Sequence, residues 1–355
     1  MLKLKGLKTP LIWALSRPLV CTLLSPFTRE QVSVFMLHRL HAPESGVFGH
    51  TAEFLQEMLD RLRRDRYEFI SLDRLSARMT GADPRPLRRA VAFTIDDGYA
   101  DQAQMIRDVF IPFDCPVTVF AITGFIDGKL WPWDAKIRHI LFASSVAGFT
   151  LETDGWTITM DLRDAASRRR SAGKVLERCK HLPYSKCLSV IDELQRLAEV
   201  VLPERPPPAF EPMSWDMARA LESEGVRFGP HSVSHASLAT LSSDEALAEI
   251  EESWRRLQQE LVSPLQLFAY PSGIFGVDFS EREIRLAQAA GFPLALSADT
   301  GYVRPVHEGM NPSALWRLRR FSLPQTTEDV LQCASWIEMA KEALHGRGRP
   351  VGAHP

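Results

Sequence analysis

Short apolar runs rich in β-branched and aromatic residues recur along the chain between stretches of helical periodicity, and this alternation restricts the fold more than any other feature. The runs are Val32–Leu37, Phe69–Leu72, Ala90–Ile95, Val117–Ala121, Gly225–Gly229, Leu265–Tyr270, Leu294–Ser297 and Leu318–Leu323. Between them, Phe54, Leu55, Met58, Leu59 and Leu62 recur at helical spacing, and Asp244–Leu261 and Glu281–Ala290 read as helices. Strands alternating with helices predict a parallel sheet with crossover helices, an α/β architecture. Length alone, 355 residues, suggests two domains. One barrel with additions fits as well.

The rhythm breaks between Trp131 and Pro208. That stretch holds a small antiparallel piece, Phe149–Glu152 with Trp156–Met160, and a charged helical run from Arg163 to Val201, and it ends in Pro206-Pro207-Pro208. We read it as an insertion of about residues 131–208 in a barrel spanning 31–325, followed by a C-terminal helix and flexible tail over 326–355. The basic run Arg168-Arg169-Arg170 reads as a solvated helix face.

Residues 1–30 form a basic lead-in, with Lys3, Lys5, Lys8, Arg17 and Arg29 against the single acid Glu30. Arg17-Pro18 interrupts its apolar stretches, so no run is long enough to span a bilayer. The expectation is an amphipathic segment that packs on the domain or makes peripheral contact with an anionic membrane. Over the whole chain 42 Lys and Arg balance 44 Asp and Glu, which argues against a nucleic-acid partner. With 45% hydrophobic and 24% charged residues, the chain is neither disordered nor fibrous. Its five cysteines are scattered, which favours a reducing, cytoplasmic setting, with membrane association and export left open. Oligomeric state is not legible.

Three strand ends carry residues suited to chemistry. Thr94-Ile95-Asp96-Asp97-Gly98 places two adjacent carboxylates after a buried strand, where they need a cation or a raised pKa. Gly229-Pro230-His231-Ser232-Val233-Ser234-His235 sets two imidazoles at i and i+4, which a helical turn would present on one face. Phe268-Ala269-Tyr270-Pro271-Ser272-Gly273 fixes a turn that exposes a peptide N–H for an oxyanion. Each alone is an ordinary turn. Together, at the C-terminal ends of parallel strands, they converge on one face of a barrel.

These motifs resemble those of the polysaccharide deacetylases, the NodB-homology domain of carbohydrate esterase family four. Thr94–Gly98 matches T-F-D-D-G with Ile95 for Phe, and His231–His235 matches H-[ST]-x-x-H. Phe268–Gly273 resembles the variant found in deacetylases of bacterial exopolysaccharides. The resemblance implies a distorted (β/α)7-type barrel, here with an inserted, mainly helical segment. It implies Asp96 as general base, Asp97, His231 and His235 as ligands of a divalent metal, and the Ser272 N–H as an oxyanion donor. Zinc is the first expectation for the metal, with cobalt, nickel and manganese as alternatives.

Two departures matter. The family's usual Arg is missing at Ala269, and Arg320 in Leu318-Arg319-Arg320-Phe321 is the candidate substitute. The late general-acid His is absent, since His345 lies in the wrong context; His38, in Phe35-Met36-Leu37-His38-Arg39, is the candidate acid. Tyr99, Tyr270 and Pro271 are the expected substrate contacts, and Trp131 and Trp133 are further aromatic candidates for holding sugar rings. The function implied is hydrolytic removal of acetyl groups from N-acetylated sugars of a glycan. The alternatives are a related metal-dependent hydrolase of small C–N bonds and a catalytically silent glycan-binding or assembly module.

Overall fold

The computed structural model describes residues 30–153, 155–304 and 312–338. The lead-in up to residue 29 and the tail from residue 339 lie outside the described residues. Among the described residues no helix is long and apolar enough to cross a membrane.

Among the described residues ten strands form: β1 Val32–Leu37, β2 Glu68–Phe69, β3 Ala90–Asp97, β4 Val117–Ala121, β5 Gly148–Thr153, β6 Trp156–Asp161, β7 Arg227–Pro230, β8 Phe268–Ala269, β9 Ala295–Leu296 and β10 Phe321–Ser322. The main sheet runs β10-β1-β3-β4-β7, with β2 added beside the start of β3, and β8 pairs with β9. All of these pairs are parallel. Two junctions close the ring. Leu265 N donates to Phe228 O at 2.7 Å ahead of β8, while Leu318 N donates to Ala295 O at 2.9 Å ahead of β10. The result is a seven-stranded, distorted α/β barrel.

Its irregularity shortens the last strands. The runs Leu265–Tyr270, Leu294–Ser297 and Leu318–Leu323 contribute only two ladder residues each, and β7 meets β8 through the Leu265–Phe228 bond of flanking chain. Gly229 sits at that junction. A Cβ there would lie 2.8 Å from Leu267 O and 2.6 Å from the Phe120 ring, so only glycine lets β7 and β8 come together.

Alternation along the strands sorts the core. Val32, Val34, Ala90, Ala92, Phe120, Leu267, Ala269 and Leu296 line the barrel interior, while Phe35, Leu37, Val91, Phe93, Ile95, Val117 and Val119 face the helices. Phe35, fully buried, packs on Phe93 and Phe321 at ring distances of 5.6 and 6.1 Å; such a side chain contributes roughly 1.5–3 kcal/mol.

Between β4 and β7 lies a separate cluster. Helices Trp133–Ala143, Ala165–Cys179 and Tyr184–Ala198 pack with the antiparallel hairpin β5–β6 around Ile137, Ile140, Leu151, Val175 and Leu194. The charged helical run read over Arg163–Val201 consists of two helices. Its break falls at Pro183, which cannot continue a helix and caps the next one instead. Likewise Leu72, read as strand, opens helix Leu72–Met79 because Ser71 accepts the Arg74 N–H as its cap.

Candidate active site

Asp97 is the last residue of β3, Pro230 of β7 and Ala269 of β8. The three motifs therefore emerge side by side on the C-terminal face of the barrel.

Period-two alternation carries Asp96 inward, on the same face as Ala92 and Thr94. Arg320 enters the interior from just before β10 and is 1% exposed. Its Nη1 donates to Asp96 Oδ1 at 2.8 Å and to Thr94 Oγ1 at 3.2 Å, and its Nε donates to Ser297 O at 3.0 Å. Burial pushes the Asp96 carboxyl up, but the nearby groups, the Arg320 guanidinium foremost, together outweigh it and hold the carboxyl below its usual range. Asp96 is thus ionised.

Asp97 turns the other way at φ +91°. Its Oδ1 is buried without a hydrogen-bond partner, 3.9 Å from His231 Nε2 and 3.8 Å from His235 Nε2. Burial pushes this carboxyl up, against the opposing influence of His38 and His235. The Ala269 carbonyl can only accept, so His231 Nδ1 donates to it at 2.8 Å and the Nε2 lone pair faces Asp97. Burial holds His231 down to about 3, so the ring is neutral. One carboxylate oxygen and two imidazole nitrogens, all within 4.8 Å of one another, make a donor set that fits a divalent cation.

The two histidines do not converge through a helical turn, as the i, i+4 spacing suggested. Residues 231–235 form an irregular turn with Ser232 at φ +64° and His235 at φ +60°. Those left-handed residues, not helix geometry, fold the second imidazole back towards the first, with ring centroids 5.0 Å apart.

Ser272, at φ +59°, borders a recess beside His235 that the inserted segment completes with Trp133, Lys180, Leu182 and Tyr184. Among the described residues its N–H has no acceptor. Lys180 also pairs with the buried Asp278 at 3.3 Å, joining the insertion to the loop after β8. His38 is exposed at the end of β1. Tyr99, Tyr270 and Pro271 are corrected as side-chain contacts for substrate. Tyr270 is 1% exposed and stacks on Phe279 at 3.9 Å, Tyr99 is covered by Arg39 and Phe125, and Pro271 is buried. Trp131 is also buried, against His139 and Phe210.

Sequence reading missed Gln102. This fully buried amide donates to His38 O at 2.7 Å and Asp96 O at 2.6 Å and accepts from Gly98 N at 3.1 Å, tying the end of β1 to the carboxylate turn. A Gln five residues after the Asp pair, on a short helix otherwise facing the core, was the available signal.

The model of the polysaccharide deacetylase family matches residues 83–295, more than half of the chain. No curated protein sequence is similar enough to count as a match. Among solved structures, a Streptococcus pyogenes deacetylase, PplD, in complex with acetate, is 15% identical at a TM-score of 0.55, over 86% of this chain and 98% of that one. IcaB from Ammonifex degensii is 15% identical at 0.54, over 86% and 97%. The polysaccharide deacetylase BC0361 from Bacillus cereus is 12% identical at 0.54, over 86% and 70%. At these identities the likeness is one of fold.

Proposed function

This chain belongs to the polysaccharide deacetylase family, and from that premise we propose that it hydrolyses the acetamido group of N-acetylated sugar units in a glycan, with a divalent metal held by Asp97, His231 and His235. Zinc is the metal best suited to one carboxylate and two imidazoles. One observation carries the reading: two adjacent buried carboxylates have opposite environments. Asp96 is paired with Arg320, whereas Asp97 Oδ1 has no hydrogen-bond partner and faces the Nε2 atoms of two imidazoles.

That contrast divides the chemistry. Held by Asp97, His231 and His235, a divalent ion would supply Lewis-acid polarisation of the acetyl carbonyl and would acidify the attacking water. Asp96, ionised and 4.0 Å from His231 Nε2, stands beside the ligands and accepts the proton of that water. Arg320 holds the carboxylate in place and keeps it a base. The Ser272 N–H donates to the developing oxyanion. His38, whose backbone carbonyl Gln102 ties to that of Asp96, then donates a proton to the leaving amine.

The Phe268–Gly273 motif favours an exopolysaccharide as the glycan. Its Ala269 departure has a physical counterpart, because Arg320 reaches the base from a different strand. Acetate release from a panel of N- and O-acetylated oligosaccharides, each assayed with and without metal, tests the proposal. Release confined to N-acetylated glycans and dependent on metal is expected. Purified, metal-loaded protein that releases no acetate from any of them would favour a silent glycan-binding module.

A further inference from the structure

The His231–His235 turn has a peculiar local chemistry. Ser232 and His235 both adopt left-handed backbone without being glycine; such residues are strained and persist only where surroundings hold them. On one side, Thr123 N donates to Ser232 O at 3.2 Å and Gly124 N to Val233 O at 3.0 Å. Gly124 permits this approach, since a Cβ there would lie 2.7 Å from Val233 O. On the other side stands Glu249, from helix Ser243–Glu260. One oxygen, Oε2, accepts both the Val233 and Ser234 N–H groups at 2.8 Å, and Oε1 accepts the Ser234 hydroxyl at 2.7 Å. Consecutive N–H groups converging on a single anion form a nest, here filled by the protein's own carboxylate.

We infer that Glu249 is a positioning residue for the metal centre: its carboxylate fixes the turn that aims His235 Nε2 at the same point as His231 Nε2. This rests on the metal reading above. Without Glu249, two turn amides lose their acceptor, and the left-handed backbone is left to the Thr123 and Gly124 N–H groups on one side and to the Ser232 hydroxyl, which accepts the His235 N–H at 3.0 Å. The turn relaxes and the imidazoles diverge. The exposed acids Glu251 and Glu252 on the same helix make no such contact among the described residues.

The experiment measures zinc affinity by chelator competition, together with the visible spectrum of the cobalt-loaded protein, which reports ligand geometry rather than stability. Outer partners of metal ligands typically tune affinity by about 10–100-fold. Glu249→Ala is expected to weaken zinc by that factor and alter the cobalt spectrum. Glu249→Gln, which keeps an acceptor oxygen for the amides, should fall between Ala and wild type, and Glu252→Ala should match wild type. If Glu249→Ala does not fold, Glu249→Gln alone decides: wild-type affinity and spectrum overturn the inference. A folded Glu249→Ala with wild-type affinity overturns it too. Wild-type protein that takes up no zinc, or takes it up equally with His231→Ala, sinks the metal reading itself and this inference with it.

Discussion

Arg320 and Asp96 stand 224 positions apart in sequence and meet inside the barrel, guanidinium Nη1 to carboxylate Oδ1 at 2.8 Å, with both side chains almost wholly buried. Removing one partner of such a pair leaves an uncompensated buried charge and costs about 3–5 kcal/mol. The pair also sets the ionisation of the base. Asp96 titrates below its ordinary range, so its ion-pair stability is fully present above the unfolded carboxylate pKa, about 3.9, and is lost as pH falls through the lower folded value. Without Arg320, burial acts unopposed by its main counter-charge. In Arg320→Met, the acidic limb of the kcat/KM profile should move to higher pH, as measured with saturating metal. An unmoved limb in a folded variant would remove Arg320 from the account.

The oxyanion donor proposed at residue 272 is a backbone group. Ser272→Ala and Ser272→Gly should keep kcat within severalfold of wild type, because the N–H remains and φ +59° is comfortable for glycine. Ser272→Val should fare worse, since a β-branched residue resists left-handed backbone. Steady-state rates on an N-acetylated oligosaccharide decide this. A hundredfold loss in Ser272→Ala would transfer the role to the hydroxyl.

General-acid help matters most when the leaving group is basic. His38→Gln should lower kcat by about 10²–10⁴ on an acetamido sugar and far less on an aryl acetate, whose phenolate departs unaided. Parallel assays of the two substrates give the answer. Equal losses on both would point to structural damage or another role for His38.

Gly229 closes the barrel rather than the chemistry. Gly229→Ala pushes a methyl group against Leu267 O and the Phe120 ring, and overpacking of this kind costs about 1–3 kcal/mol. Denaturant unfolding should show that loss, and unchanged stability would mean that β7 and β8 have room to separate.

Much of this site could be read from the chain because its residues are chosen by chemistry. Adjacent carboxylates after an apolar strand and paired histidines after another are costly without a shared task. Partners fixed only by tertiary geometry were another matter. Glu249 sits within a stretch read simply as a helix and Gln102 on a short helix that the sequence reading did not single out, and nothing local shows that their polar ends meet the motif turns. Tyr99 and Tyr270 misled for the opposite reason. They adjoin the motifs in sequence, but the backbone turns their rings into the core. The i, i+4 rule failed at His231 and His235 because it assumes a helix, whereas the chain uses left-handed residues. Strand identity was legible, yet the length of β8, β9 and β10 was not, since barrel distortion limits their ladders.

The central claim is that Asp97, His231 and His235 hold a metal while Asp96 performs proton transfer. Metal content and acetate release measured together on Asp96→Asn and Asp97→Ala test it most directly. Asp96→Asn should retain stoichiometric zinc and lose about 10²–10⁴ in kcat, whereas Asp97→Ala should lose both zinc and rate. Full turnover by Asp96→Asn, or undiminished zinc in Asp97→Ala, would contradict the assignment.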